Sequence, residues 1–501
     1  MPRSTSPTSL LVSLDERSDE PLHRQIYHGI RGAILEGFLA PQARLPSSRA
    51  LAADLGVSRS TVLVALDQLI AEGYLITRLG SGTHVPRVLP EALLSVRGAR
   101  NGAAHHPRST RREISRRGSL LAATPHGAVR LGAAPRPFRS GTPAIDLFPV
   151  NLWARIAARR ARRLSVSQLD AGNTSGYRPL REAIATHIQA SRGVRCEVEQ
   201  VLIVFGAQQA LDYATRMLVD PGDTAWLEEP GYLGVRSAFI SAGARIVPIP
   251  VDDEGIDVAA GADRGRGARA VYVSPSHQYP LGVTMTLARR LALLEWAQKS
   301  GAWVLEDDYD SEYRYSGRPL MALQGLDEDD RVVYIGTFSK TMFPTLRLGF
   351  VVVPSDLVDS FTAARGTGDL PPTLEQAAMA DFIADGHFAR HLRRMRVEYE
   401  ARQNALVDAV RRELGDTLRV EPSGTGMHLV GLLPKSAPDH MVSREAAAVG
   451  IEVSPLSMFY TGRPRRNGLV LGYGSVDATA IRSGMKKLAR AVEQALRHNA
   501  A

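Results

Sequence analysis

The chain has 501 residues, one cysteine (Cys196) and no apolar run near the roughly 18 residues of a membrane span. This excludes an intrachain disulfide, a cysteine-rich zinc site and a membrane-crossing helix, and the apolar patch at residues 10–12 is too short for a signal peptide, so a cytoplasmic protein is expected. A 44% hydrophobic content at this length predicts at least two folded domains. The formal charge of +9 is concentrated between residues 87 and 139, where 11 arginines meet only Glu91 and Glu113, an excess that points to a polyanionic partner such as nucleic acid.

Residues 21–37 read as a helix with Leu22, Ile26, Ile30 and Ile34 on one face. Prolines at 41 and 46 bracket a break. Ser47 or Ser48 is placed to cap a short helix over 49–55, which Gly56 ends. Ser58 is placed to cap a third helix running to about Glu72, with Val62, Leu66, Leu69 and Ile70 inward. Two helices across so tight a turn form a helix-turn-helix, whose second helix presents its first residues, here Arg59, Ser60 and Thr61, to base edges. Residues 74–78, the turn Leu79-Gly80-Ser81-Gly82 and residues 83–85 then read as a strand–turn–strand wing. Arg44, Arg49 and Arg78 are candidates to neutralise phosphates, and Gly82 lets the turn's backbone approach closely. A three-helix protein-interaction module is the alternative. The ordered array of Arg44-Leu45-Pro46-Ser47-Ser48-Arg49, the Ser58-capped helix and the Gly-Ser-Gly wing resembles the winged helix of GntR-type bacterial transcription regulators. Residues 10–86 are therefore expected to bind double-stranded DNA. From 87 to 145 periodicity is lost among Arg, Gly, Ala and Pro, which reads as a basic, flexible linker.

Beyond residue 146, helical patterns alternate with the apolar runs 201–204, 224–227, 270–273, 302–305 and 332–335, predicting an α/β domain around a mostly parallel sheet. Ligands collect beyond the carboxyl ends of such strands. After the first run, Phe205-Gly206-Ala207-Gln208 opens a helix on a glycine, with free N–H groups for a phosphate. After the second, Tyr232 is placed either to stack on a flat ring or to pack ordinarily. After the third, His277 is an edge contact to such a ring or a satisfied loop residue. After the fourth, Glu306-Asp307-Asp308-Tyr309-Asp310 crowds four carboxylates at a strand end. A buried carboxylate needs a cation, and a protonated pyridine nitrogen is one, with Tyr309 in reach of the ring's phenolate oxygen. A metal is the competing reading, but acids from one strand end do not converge, and none is expected.

After the fifth run comes Thr337-Phe338-Ser339-Lys340. Only five of the 61 basic residues are lysines, so where charge alone serves this chain uses arginine. A desolvated lysine can lose its proton and form an imine, which arginine cannot. Arg347, seven residues on, offers a bidentate fork for a phosphate. Amine, hydroxyls and fork together suit pyridoxal 5′-phosphate, the cofactor expected here; a loop lysine at the surface is the plain alternative.

Taken in order, the five strand ends resemble those of aspartate aminotransferase-like, fold type I enzymes over residues 146–501, which have a mostly parallel sheet and a smaller C-terminal subdomain. With a GntR-like winged helix in front, the chain is similar to the MocR subfamily of regulators. The resemblance implies Lys340 as the Schiff-base lysine, Asp307 at the ring nitrogen, Tyr309 at the ring oxygen and Tyr232 over the ring. It also implies Gly206, Ala207, Gln208, Thr337, Ser339 and Arg347 around the phosphate, and a homodimer, often head-to-tail. Two departures stand out. Tyr279 occupies the place of the asparagine in Asn-Pro-x-Gly, and the late run 469–473 lacks the arginine that grips a substrate carboxylate. Arg466, which follows Arg463 and Arg465, and Arg236 are the candidate replacements. The function expected is a transcription regulator that senses an amine or amino-acid effector, or the cofactor itself, through Lys340. The alternative is a working aminotransferase with an accessory DNA-binding domain.

Overall fold

Serine caps and a glycine stop set the helix boundaries near the N-terminus. In the computed structural model, which describes residues 12–15, 18–78, 81–89, 114–124, 136–166, 174–317, 320–365 and 370–500, the chain divides into one unit up to Arg112 and another from Glu113. The first contains α1 (Leu22–Leu35), α2 (Ser48–Leu55), α3 (Arg59–Ala71), β1 (Ile76–Arg78) and β2 (Gly82–His84). Ser47 caps α2 by accepting from the Ala50 N–H at 3.2 Å, and Gly56 ends it in the left-handed region at φ +70°. Ser58 caps α3, accepting from the Thr61 N–H at 3.1 Å. Ile26, Ile30, Ile34, Leu51, Val62, Leu66 and Leu69 close one small core. β1 and β2 pair antiparallel, Ile76 with His84 and Arg78 with Gly82. Leu79 and Gly80, expected in the wing's turn, lie outside the described residues.

In the second unit, eight strands form one sheet in the order β3-β10-β9-β8-β7-β4-β5-β6. They are β3 (Val201–Val204), β4 (Thr224–Glu229), β5 (Arg245–Asp252), β6 (Gly255–Ile256), β7 (Ala268–Val273), β8 (Trp303–Asp308), β9 (Val332–Thr337) and β10 (Gly349–Val352). β5, β4, β7, β8 and β9 run parallel. β10 is inserted antiparallel between β9 and β3. The five apolar runs are all strands of this sheet, and they lack alternation because helices cover both faces. A smaller antiparallel sheet in the order β11-β12-β14-β13 follows: β11 (Arg419–Val420), β12 (His428–Leu432), β13 (Ser454–Pro455) and β14 (Gly468–Gly472). It packs with the long helix His387–Glu413 and the last helix, Ala478–Ala500.

The stretch read as a linker is not uniform. Residues 90–113 and 125–135 lie outside the described set, but a helix at Arg116–Ala123 is held on the helix Leu233–Ala242 by Arg117, whose Nη1 donates to the Ser241 carbonyl at 3.0 Å. Phe138 is fully buried and its carbonyl accepts from the Gly472 N–H at 2.9 Å. Folded structure of the second unit thus includes residues 136–145. A segment of turns that bridges to β14 only at Phe138 carries no periodicity of its own, so the pattern missed it.

Candidate cofactor site

The carboxyl ends of β3, β4, β7, β8 and β9 open on one cavity of about 240 Å³. Lys340 lies in the turn that carries the chain from β9 back to β10; it is half-buried, and its Nζ donates to the Gly141 carbonyl at 2.7 Å. Burial lowers its amine pKa from the ordinary value, against the upward pull of Asp310 and Asp307. The neutral, nucleophilic form is correspondingly easier to reach.

The four carboxylates after Leu305 part company because alternate strand residues face opposite ways. Glu306 accepts from the N–H groups of Leu323 and Gln324 at 2.7 and 2.8 Å. Asp308 meets Arg192 Nε at 2.7 Å and the Tyr334 hydroxyl at 2.6 Å; burial pushes its pKa up, but these partners hold it below the usual carboxylate range. Asp310 accepts from His277 Nδ1 at 2.9 Å. Asp307 faces the cavity. Its Oδ2 accepts from the Tyr272 hydroxyl at 2.9 Å, while its Oδ1 is buried without a partner. Burial pushes this carboxyl up to about 7, with the Tyr272 hydrogen bond opposing. An oxygen so placed fits a protonated ring nitrogen, which would both satisfy it and restore its charge.

The phosphate end is equally built. Gly206 sits at φ +121°, a conformation that favours glycine, and begins the helix Ala207–Leu218 whose first N–H groups have no intrahelical partner. A side chain at Gly349 would come within 2.7 Å of the Gly206 Cα, so β10 needs glycine where it passes this turn. Thr337 Oγ1 and Ser339 Oγ converge on Gly206, and the Thr337 oxygen accepts from the Ser339 N–H at 3.1 Å. Arg347 is held at φ +53°, unusual for a non-glycine residue, and lines the same cavity with Ala207 and Gln208. Tyr232 caps the cavity from the start of its helix, its ring edge-on to Tyr279 at 6.1 Å. The donor set, the unpartnered Asp307 oxygen and the glycine cradle fit pyridoxal phosphate.

Other expectations are revised. His277 is 1% exposed and stands behind the wall: Tyr309 donates to its carbonyl at 2.8 Å, and a side chain at Gly426 would come within 2.0 Å of its ring. It supports Tyr309 and Asp310 and does not line the cavity. Neither Arg236, half-buried on its helix, nor Arg466, exposed before β14, lines it either. Ser140, Gly141, Tyr272, Met427 and His428 do, and sequence reasoning did not find them. Only Tyr272 left a signal: a hydroxyl inside the otherwise apolar run 270–273.

In the N-terminal unit, Arg44, Arg49, Arg59, Ser60 and Arg78 are exposed. The Arg44 guanidinium packs over Gly82, whose φ is +95°. Arg59 Nε donates to Ser48 Oγ at 3.3 Å, tying the first turn of α3 to α2. Ser58, expected among the DNA-contacting residues as well as at the cap, has its hydroxyl engaged within the cap, 2.7 Å from both Ser60 Oγ and Thr61 Oγ1.

A winged helix of the DNA-binding kind and an α/β unit with a pyridoxal-phosphate site define a cofactor-dependent transcription regulator. The bacterial regulatory proteins of the gntR family match residues 22–85, and the class I and II aminotransferases match residues 153–471. The chain is 44% identical over 483 residues, 95% of each protein, to the probable rhizopine catabolism regulatory protein MocR of Rhizobium meliloti. It is 31% identical to the pyridoxine biosynthesis transcriptional regulator PdxR of Corynebacterium glutamicum over 96% of this chain and 98% of that one. Among solved structures, LysN, an α-aminoadipate aminotransferase from Thermus thermophilus complexed with N-(5′-phosphopyridoxyl)-L-leucine, superposes with a TM-score of 0.67 at 31% identity, covering 76% of this chain and 99% of that one. The chain belongs to the MocR-type regulators, in which a GntR winged helix is fused to an aminotransferase-like domain. Its cofactor is pyridoxal phosphate and its macromolecular partner is DNA.

Proposed function

We propose that the regulator senses a small amine at the Lys340 site and answers by changing how its winged helices engage a promoter, in the cytoplasm and as a head-to-tail homodimer. The observation that carries this reading is Lys340 itself: a half-buried amine of lowered pKa, held on the Gly141 carbonyl at 2.7 Å inside the cofactor cavity. The cofactor, when bound, supplies an aldehyde that condenses with amines and a ring that withdraws electron density. Asp307, aimed by the Tyr272 hydroxyl, would hold the ring nitrogen's proton, and Tyr309, whose hydroxyl donates to the His277 carbonyl, would be the residue nearest the ring oxygen. Gly206, Ala207, Gln208, Thr337, Ser339 and Arg347 anchor the phosphate. Lys340 is the amine that would hold the cofactor, and the Gly141 carbonyl is an acceptor for it when it is free. Coupling to DNA requires the amine to prefer one arrangement of the dimer over the other.

The test is a promoter footprint of the cofactor-loaded, full-length protein with and without amines, run beside light scattering for the dimer. A footprint indifferent to every amine and to the cofactor would overturn sensing. The second reading, a working aminotransferase, is favoured by the complete set of Lys340, Asp307, Tyr309 and Arg347 around one cavity. Steady turnover between amino donors and keto acids, with no footprint, would establish it.

A further inference from the structure

The loop that follows β8 serves two cavities. Asp310 lines that of the cofactor, while Glu312 and Arg314 line another of about 340 Å³, completed by His187 and Arg192 from the helix Arg178–Arg192 and by Arg396 from the helix His387–Glu413. Of its three guanidiniums Arg192 is spent: Nε donates to Asp308 at 2.7 Å, and the other nitrogens donate to the Leu320 carbonyl and the Ser276 hydroxyl. Arg314 donates from Nη1 to the nearby Ser316 carbonyl at 3.2 Å, and Arg396 from Nε to the Glu312 carbonyl at 2.6 Å. Among the described residues neither forms an ion pair with a carboxylate, so each fork keeps unused donors. Both are half-buried, unlike arginines that merely face water. Burial and the Arg192 charge push the Arg314 guanidinium's pKa down, the mark of a cation held without its anion. His187 Nε2 is buried with no hydrogen-bond partner, and Glu312 Oε1 stands 4.0 Å from it, too far for one. Burial, with the Arg396 charge, keeps this ring neutral.

The acid in this lining, Glu312, pairs with neither arginine, and burial pushes its carboxyl up to about 7. Two unpaired guanidiniums on different elements therefore face one space, with a neutral imidazole beside them, and together they favour a dianion. The tetrahedral oxygens of a phosphate reach donors on separate walls at once, and each guanidinium meets them bidentately; a carboxylate offers its oxygens in one plane. We propose that this cavity binds a phosphate group, carried by the free ion or by a phosphate monoester, at a site separate from the cofactor's own phosphate cradle. This site is independent of amine sensing at Lys340. An acidic side chain of a second copy is the competing occupant, and in the assembled protein it would keep phosphate out.

The test is calorimetry on the full-length, cofactor-loaded protein, whose phosphate cradle is already filled. Inorganic phosphate, glycerol 1-phosphate and acetate serve as probes at pH 8, with ionic strength held constant by chloride. A phosphate probe is expected to bind at least about tenfold tighter than acetate, the scale of a hydrogen bond to a charged group. Arg314→Gln and Arg396→Gln should each lose about tenfold or more in phosphate affinity on the same scale. Glu312→Gln should move the other way and gain about fivefold, the scale of removing one unit charge a few ångströms away in water. Damage to the fold would not produce that gain, so it decides the matter even if an arginine variant fails to fold. Tighter binding of the free ion or of the ester supports the site equally and says which source fills it. No binding of either phosphate probe, acetate binding as tightly, an affinity that both arginine substitutions leave intact, or no gain in Glu312→Gln overturns the proposal.

Discussion

Replacing Asp307 with asparagine should act in opposite directions on the empty and the loaded protein. The carboxyl is 4% exposed, with one oxygen on Tyr272 and the other unpartnered. Burial moves it from 3.8 to about 7. Between those values the folded protein binds a proton that the unfolded chain does not, so stability falls as pH rises through the window and the full penalty is present above about 7. A displacement of that size corresponds to about 4 kcal/mol once the group is ionised in both states, and to about 2 to 3 kcal/mol between pH 5 and pH 8. Asparagine keeps an oxygen for Tyr272 and has no charge to bury. The cofactor-free variant is therefore expected to gain stability relative to wild type by that amount from pH 5 to pH 8. Glu228 and Glu306 are buried with raised pKa values as well, but the difference between the two proteins isolates Asp307. Loaded with cofactor the sign reverses, because the ring nitrogen loses its counter-charge, and affinity should fall by at least about tenfold. Urea unfolding at the two pH values, with and without pyridoxal phosphate, measures both effects. An asparagine variant that is less stable than wild type at pH 8 when empty, or that holds the cofactor as tightly, would refute the account of this site.

Three further outcomes follow from other parts of the molecule. Lys340→Ala should leave the circular dichroism unchanged but abolish the near-visible absorbance of lysine-bound cofactor and let dialysis remove it; retained absorbance would place the anchoring amine elsewhere. Gly206→Ala should lose cofactor affinity with little change in fold, since a side chain there has 3.9 Å of clearance to Ser339 and Thr337 but must adopt φ +121° in the phosphate cradle; calorimetry with pyridoxal phosphate reads the loss. Arg59→Ala should weaken specific DNA binding by about 1 to 3 kcal/mol, the scale of a good base contact. A footprint of unchanged affinity and sequence preference would take Arg59 off the reading face of α3.

Much of the site was legible because each strand end is a local event. An apolar run, a glycine and a capped helix declare themselves within about ten residues, and Gly206, Tyr232, Asp307, Tyr309 and Lys340 all follow such runs. The same locality made the winged helix readable, from the Ser47 and Ser58 caps to the glycine at 56. What escaped lies across the fold. Asp307 takes its hydroxyl from Tyr272 on the neighbouring strand, 35 residues away, and Lys340 takes its carbonyl from a segment 199 residues earlier that looked like linker.

By itself, then, the order of residues determined which backbone turns could hold a phosphate, which amine could react and which helix could enter a groove, because hydrogen-bonding caps and apolar periodicity act over a few residues. Only the tertiary structure decided that His277 stands behind the wall and not in it, that four acids within five residues take four different sets of partners, and that Asp307 and Asp310 each keep one buried oxygen without a partner. Those outcomes depend on which strands become neighbours and how deeply each carboxylate is removed from water, and neither quantity exists until the sheet has closed.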